Sequence, residues 1–136
     1  MSEGSPADVA VREGLFTVAA DGSCHLLGGR CARCGEHHFP RTATCPYCSA
    51  DEVTEVPLSE TGTLFAWTAV TAPPPGYRGA VPFGFGVVEL PEGIRVLTRL
   101  TEADLSQLTF GQPVCMQLVA LHTDDDGRDV LTWAFG

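Results

Sequence analysis

The sequence predicts a mainly β protein: a short N-terminal helix, a small metal-binding ribbon, then a five-stranded barrel. Three observations carry that prediction. Fifteen glycines and ten prolines in 136 residues favour turns and strands over long helices. Two Cys-x-x-Cys pairs stand close together in the first half of the chain. From Thr61 onward, short stretches rich in β-branched and aromatic residues are separated by Gly, Pro and Asp turn signals.

The elements follow in order. Ser5-Pro6-Ala7-Asp8 is a cap-like start, and Val9, Val11 and Leu15 then fall on one side of a short helix expected to stop near Gly14. Asp21-Gly22 reads as a turn, and residues 24–29 as a strand leading into a ribbon over residues 28–50. Asp51 to Glu60 reads as an acidic connector. Five strands are then expected: Thr63–Val70, Pro82–Leu90, Ile94–Leu100, Val114–Leu121 and Val130–Phe135. Between them lie a Pro-Gly loop at 72–80, a Pro91-Glu92-Gly93 turn and an Asp124–Gly127 turn. Thr101-Glu-Ala-Asp104 resembles a capping box that opens one helical turn through Leu108. Five strands with a short helix between the third and fourth is the layout of an OB-fold barrel, although periodicity alone also permits another small barrel. The chain is thus divided into an N-terminal helical arm at 1–23, a zinc ribbon at 24–56 and an OB-fold domain at 57–136.

Of the six cysteines, four form a pattern. Cys31-Ala-Arg-Cys34-Gly35 is followed after ten residues by Cys45-Pro-Tyr-Cys48. Each pair can present two thiolates from a tight turn, and two such knuckles on a hairpin surround one ion as a rubredoxin-like ribbon. Zinc is expected, with iron held in the same way as the alternative. Four thiolates close the coordination sphere, so the metal is structural and binds no substrate. His37 and His38 lie between the knuckles and are expected to be exposed hairpin residues. Cys115 reads as a small core residue. Neither Cys24 nor Cys115 has a histidine and acid arranged around it in sequence that would mark a nucleophile.

Charge excludes several functions. Seventeen acids against eight bases give a net charge of −9, and all eight bases are arginine. A chain without lysine forms no side-chain Schiff base and carries no Walker-type lysine. Residues 49–136 hold four arginines against twelve acids, which argues against attraction to a phosphate backbone. Gly84-Phe-Gly86 lacks a third glycine and sits in a strand, so close backbone approach explains it better than dinucleotide binding. Asp124 to Asp126 are consecutive, whereas a calcium loop needs alternating acids. The N-terminal residues have neither a basic flank nor an apolar run, and no uncharged run is apolar enough to span a bilayer. A soluble, cytoplasmic protein without membrane attachment is expected.

Arg30-Cys-Ala-Arg-Cys-Gly35, Phe39-Pro-Arg41, Cys45-Pro-Tyr-Cys48, Glu60-Thr-Gly-Thr63, Pro82-Phe-Gly-Phe-Gly-Val-Val-Glu-Leu90 and Glu92-Gly-Ile-Arg95 occur in that order across nearly the whole chain. As an ordered set they resemble the zinc-ribbon/OB-fold family catalogued as domain-of-unknown-function thirty-five, associated with acyl-CoA metabolism. The resemblance implies a non-catalytic accessory subunit of an acyl-CoA thiolase or thiolase-like (retro-)aldolase complex. Such a subunit is silent alone, stabilises a thiolase-fold catalytic partner with two copies of each, and helps form the acyl-CoA or CoA passage. It carries no catalytic residue. One structural Zn²⁺ per chain on Cys31, Cys34, Cys45 and Cys48 fits the same reading. Tyr77, Arg78 and Phe83 are the candidates for a CoA or partner contact. Trp67 reads as barrel core, and Phe85 as interface or core. The alternative is a zinc-ribbon/OB-fold nucleic-acid-binding module, since both parts occur in such proteins; the absence of a basic stripe weighs against it.

Overall fold

Strand-forming residues dominate the described chain, which comprises residues 9–10, 14–19 and 21–136 of a computed structural model. The first five strands are β1 (Val9–Ala10), β2 (Phe16–Val18), β3 (Cys24–Cys31), β4 (His37–His38) and β5 (Val53–Pro57). Five more follow: β6 (Thr61–Val70), β7 (Phe83–Glu89), β8 (Arg95–Leu100), β9 (Pro113–Thr123) and β10 (Asp129–Phe135). These last five close a barrel. β6 runs antiparallel to β7 and β7 to β8, β8 lies parallel to β10, and β10 returns through β9 to β6. That circuit, with one parallel contact between the third and fifth barrel strands, is an OB-fold.

Alternation along β7 and β8 decides what faces inward. Val88, Val96 and Leu100 are buried, while Phe85, Leu97 and Arg99 alternate with them on the other face. The two glycines of β7 are required by close approach: a Cβ at Gly84 would strike the Glu102 carbonyl, and one at Gly86 the Ala66 carbonyl. In β6 the register shifts between Leu64 and Ala66, a bulge that frees Phe65 from the ladder.

β3 links the two halves of the molecule. At one end it carries Cys31; at the other, Cys24 and Leu26 enter a single core with Leu58, Leu64, Val88 and Phe135. The ring of Trp133 on β10 meets Phe16 edge-on at 6.2 Å and Phe39 at 5.8 Å, so the ribbon hairpin rests on the barrel wall.

Four local expectations change. The expected N-terminal helix falls largely on residues 1–8 and 11–13, outside the described residues; within it, Val9–Ala10 form a strand. They pair in parallel with Val130 and Leu131, on the edge of β10 that β8 occupies further along. A β-branched residue beside open backbone groups gains ladder hydrogen bonds that outweigh weak amphipathic spacing. The acidic connector contains β5, which pairs with β3 from Leu27↔Pro57 to Cys31↔Val53. Of the helical turn after β8 only a 3₁₀ turn at Leu105–Gln107 forms, and its cap is Asp104, whose carboxylate accepts from the Ser106 N–H at 3.0 Å, instead of Thr101. Cys115 is exposed because Val114 and Met116 take the inward positions on either side of it. Among the described residues no helix is long and apolar enough to cross a membrane.

Candidate metal centre

The two cysteine knuckles are built alike, although they lie on different segments. The Gly35 N–H donates to the Cys31 carbonyl at 2.8 Å, and the Ser49 N–H to the Cys45 carbonyl at 3.0 Å. The Cys31 and Cys45 N–H groups donate in turn to the carbonyls of Glu36 and Ala50. Each loop therefore reverses within one turn and points both thiols to the same side. The reversal needs a left-handed residue after the second cysteine of each pair: Gly35 has φ 79° and Ser49 has φ 65°. Gly35 was legible as such in the sequence; Ser49 was not, because serine seldom adopts that conformation.

The four sulfurs lie within 4.8 Å of one another. Cys31 and Cys48 Sγ are 3.6 Å apart, and Cys34 and Cys45 Sγ 3.7 Å. A tetrahedron with metal–sulfur bonds of about 2.3 Å has edges of about 3.8 Å, whereas a disulfide would bring sulfurs to about 2 Å. The donor set thus fits one tetrahedral thiophilic ion. Backbone amides complete the fit: the N–H groups of Arg33 and Cys34 point at Cys31 Sγ at 3.3 and 3.5 Å, and that of Tyr47 at Cys45 Sγ at 3.4 Å. The Cys34 N–H, with that of Arg33, holds the Cys31 thiol down to about 7 against the burial that opposes it. Cys34 is pushed up to about 12: the Glu36 N–H favours its thiolate, but desolvation and the thiols of Cys45, Cys31 and Cys48 outweigh it. Four thiols so close cannot all ionise unaided, and a divalent cation removes that conflict.

Neither histidine between the knuckles joins the sulfurs. His38 is buried at 4% exposure, contrary to the sequence expectation of an exposed hairpin residue. Its Nε2 accepts from the Thr42 N–H at 3.2 Å, and its ring fills the space that the absent side chain of Gly29 leaves open. Burial lowers its pKa, so the ring is a neutral packing element.

Ser49→Gly is expected to stabilise the metal-loaded protein by about 0.5–1 kcal/mol, since the left-handed region costs an L-residue about 1–2 kcal/mol and glycine's greater unfolded-state freedom returns part of that gain. Thermal unfolding of both proteins checks this; a lower midpoint for the variant contradicts it.

The three sequence candidates for ligand or partner contact divide. Tyr77 and Phe83 come together, their ring centroids 5.1 Å apart. Arg78 leaves them and pairs with Asp125 at 3.2 Å, both side chains well exposed. Arg99, which sequence reasoning passed over, takes the place beside the rings. Its guanidinium stands 4.5 Å over Phe83 and donates to the Tyr77 hydroxyl at 3.1 Å. The signal was available: a hairpin turn at Pro91-Glu92-Gly93 sets β7 and β8 in a register that opposes Phe85 and Arg99 on the outer face.

A closed four-cysteine ribbon leading into an OB-fold barrel defines a class of protein whose metal organises structure. Comparison with known families is specific within that class: residues 23–54 match the rubredoxin-like zinc ribbon domain of ChsH2, and residues 55–119 its C-terminal OB-fold domain. The chain belongs to the ChsH2 (DUF35) family. It is 36% identical over 122 residues to the benzoylsuccinyl-CoA thiolase subunit BbsA of Thauera aromatica, covering 89% of this chain and 83% of that protein. A DUF35 domain-containing scaffold protein of Pyrococcus furiosus is 33% identical over 111 residues, 81% of each chain. The solved structure of an Ltp2-ChsH2(DUF35) aldolase matches with a TM-score of 0.64 at 25% identity, covering 82% of this chain and 83% of that one.

Proposed function

We propose that this chain is the non-catalytic accessory subunit of an acyl-CoA thiolase or thiolase-like (retro-)aldolase complex. The observation that carries the reading is similarity to a thiolase subunit over 122 residues, 89% of this chain, reinforced by an aldolase-associated structural relative. The site chemistry agrees with it. Four thiolates leave a metal no open position for water or substrate, so Cys31, Cys34, Cys45 and Cys48 hold one structural zinc per chain. The arm at 1–23, the ribbon at 24–56 and the OB-fold domain at 57–136 act as one platform, in the cytoplasm. A thiolase-fold catalytic subunit binds it, with two copies of each, and supplies the reacting groups. Acyl-CoA or CoA lies near the interface, and Tyr77, Arg78 and Phe83 are the candidates for a CoA or partner contact.

Co-expression with a thiolase-fold protein of the same organism tests this. The chain alone is expected to be inactive towards acyl-CoA, to co-purify with that partner, and to raise the partner's thermal midpoint. Failure to associate, or salt-sensitive micromolar binding of single-stranded DNA by the chain alone, overturns the assignment.

A further inference from the structure

We infer that the outer face of β7 and β8, centred on Leu97 and flanked by Arg95 and Arg99, is the surface that docks on the catalytic partner, and that Arg99 receives a carboxylate side chain of that partner. The inference rests on the accessory-subunit reading above and adds to it where and by what chemistry the partner is held.

Leu97 is 65% exposed in the middle of a barrel strand, a position where packing would ordinarily claim a leucine. Cross-strand pairing places it beside Val87, and places Arg99 beside Phe85 and Arg95 beside Glu89. The centre of the face is therefore apolar and its two ends are arginine. Each arginine is held in place by a ring. Arg95 lies 3.8 Å over Phe65, the residue that the β6 bulge frees from the ladder, and Arg99 lies 4.5 Å over Phe83. Exposed apolar centres with stacked arginines and a tyrosine, in a lysine-free chain, have the composition of protein–protein contact surfaces.

The two arginines differ in charge balance. Arg95 is paired with Glu89 at 3.3 Å. Arg99 makes no ion pair among the described residues; its Nη1 donates to the neutral Tyr77 hydroxyl. Stacking and that hydrogen bond orient the half-exposed guanidinium without neutralising it, so a planar fork is held ordered on this face. A single carboxylate beside an apolar anchor complements it.

A nucleotide ligand fits less well. CoA carries several negative charges, and the β9–β10 turn nearby sets Asp124, Asp125 and Asp126 against two arginines they already engage, Arg128 with Asp124 and Asp126 and Arg78 with Asp125, leaving an acidic excess. One uncompensated arginine amid that acidic rim suits one carboxylate better than a chain of phosphates.

The test measures affinity of the purified zinc-loaded chain for the thiolase-fold partner of the co-expression experiment by calorimetry. Leu97→Asp is expected to abolish measurable binding, and Arg99→Ala to weaken it by on the order of tenfold or more. Arg99→Lys should recover only part of that loss, since lysine keeps the charge but not the fork. Val18→Asp, an exposed apolar position on β2 at 52% exposure, in the ribbon sheet and outside this face, serves as the control and should bind like wild type. Zinc content and thermal midpoint are measured for every variant, and only folded, loaded protein is compared. If wild type binds and Leu97→Asp and Arg99→Ala bind within twofold of it, the face is wrong while the accessory-subunit reading stands. If wild type itself does not bind, that reading falls and this inference with it. Two further results overturn the inference: a homodimer of the chain that Leu97→Asp dissociates, or CoA binding to the chain alone that Arg99→Ala removes while partner affinity is kept.

Discussion

Replacing Cys31 by serine is expected to strip the chain of zinc and unfold the ribbon, the largest effect of any single substitution considered. Structural zinc supplies an apparent binding energy of roughly 10–16 kcal/mol in small zinc domains near neutral pH. A domain's whole stability is about 5–15 kcal/mol. The ribbon has little else: its own buried cluster is Cys31, Cys45 and Ala50, two of which are ligands. Serine lacks the soft donor, and the three remaining thiols lie close enough to repel one another once ionised. The loss should travel. Phe39 packs edge-on against Trp133, so unfolding the hairpin bares that indole to water. In a Trp67→Phe background, emission is expected to shift to the red in Cys31→Ser and in wild type treated with a strong chelator, together with a lower thermal midpoint. Native emission and a wild-type midpoint in a metal-free protein would contradict a folding role for the metal.

Phe135→Ala is expected to cost about 3–5 kcal/mol while leaving zinc bound. Phe135 is fully buried and, among the described residues, is the largest side chain buried to that degree. It shares one core with Leu64, Leu100 and Val114, and its backbone joins both neighbours of β10, opposite Leu100 and Met116. Truncation removes a ring's apolar burial and leaves a cavity that backbone pairing on both sides prevents from collapsing. At this chain length the loss corresponds to a midpoint lower by about 10–20 °C. Urea unfolding of the zinc-loaded variant measures it. A loss below about 1.5 kcal/mol, within the range of a volume-conserving swap, would show that the barrel closes without this residue. The two variants also separate the modules: zinc content falls only in the first.

How much of this was legible beforehand depends on the range of the interaction. The knuckles are local chemistry: two residues between cysteines fix a turn, and four sulfurs name the class of ion. The barrel strands are nearly as local, since alternation and turn residues mark both their span and the face each side chain takes. β5 was hidden because Glu55 and the acids flanking the segment masked a strand whose ladder partner, β3, lies beyond the whole ribbon in sequence. Val9 and Ala10 were misassigned for the same reason, their pairing partners being Val130 and Leu131 at the other end of the chain. His38 looked like a surface hairpin residue until Gly29, on the facing strand, was seen to leave a space its ring occupies.

The mainly β class and the four-cysteine ribbon thus followed from the sequence by itself, together with the sign of the chain's charge and the absence of lysine chemistry. What only the tertiary structure decided is which side chains meet. Arg78 directly follows Tyr77 in sequence, whereas Arg99 lies 22 residues beyond it. Yet the first is neutralised by Asp125 across the barrel mouth, and the second stands over Phe83 without a carboxylate among the described residues. Register and loop closure settle that difference. They are sums over contacts distant in sequence, whereas turn and strand propensities act between neighbours.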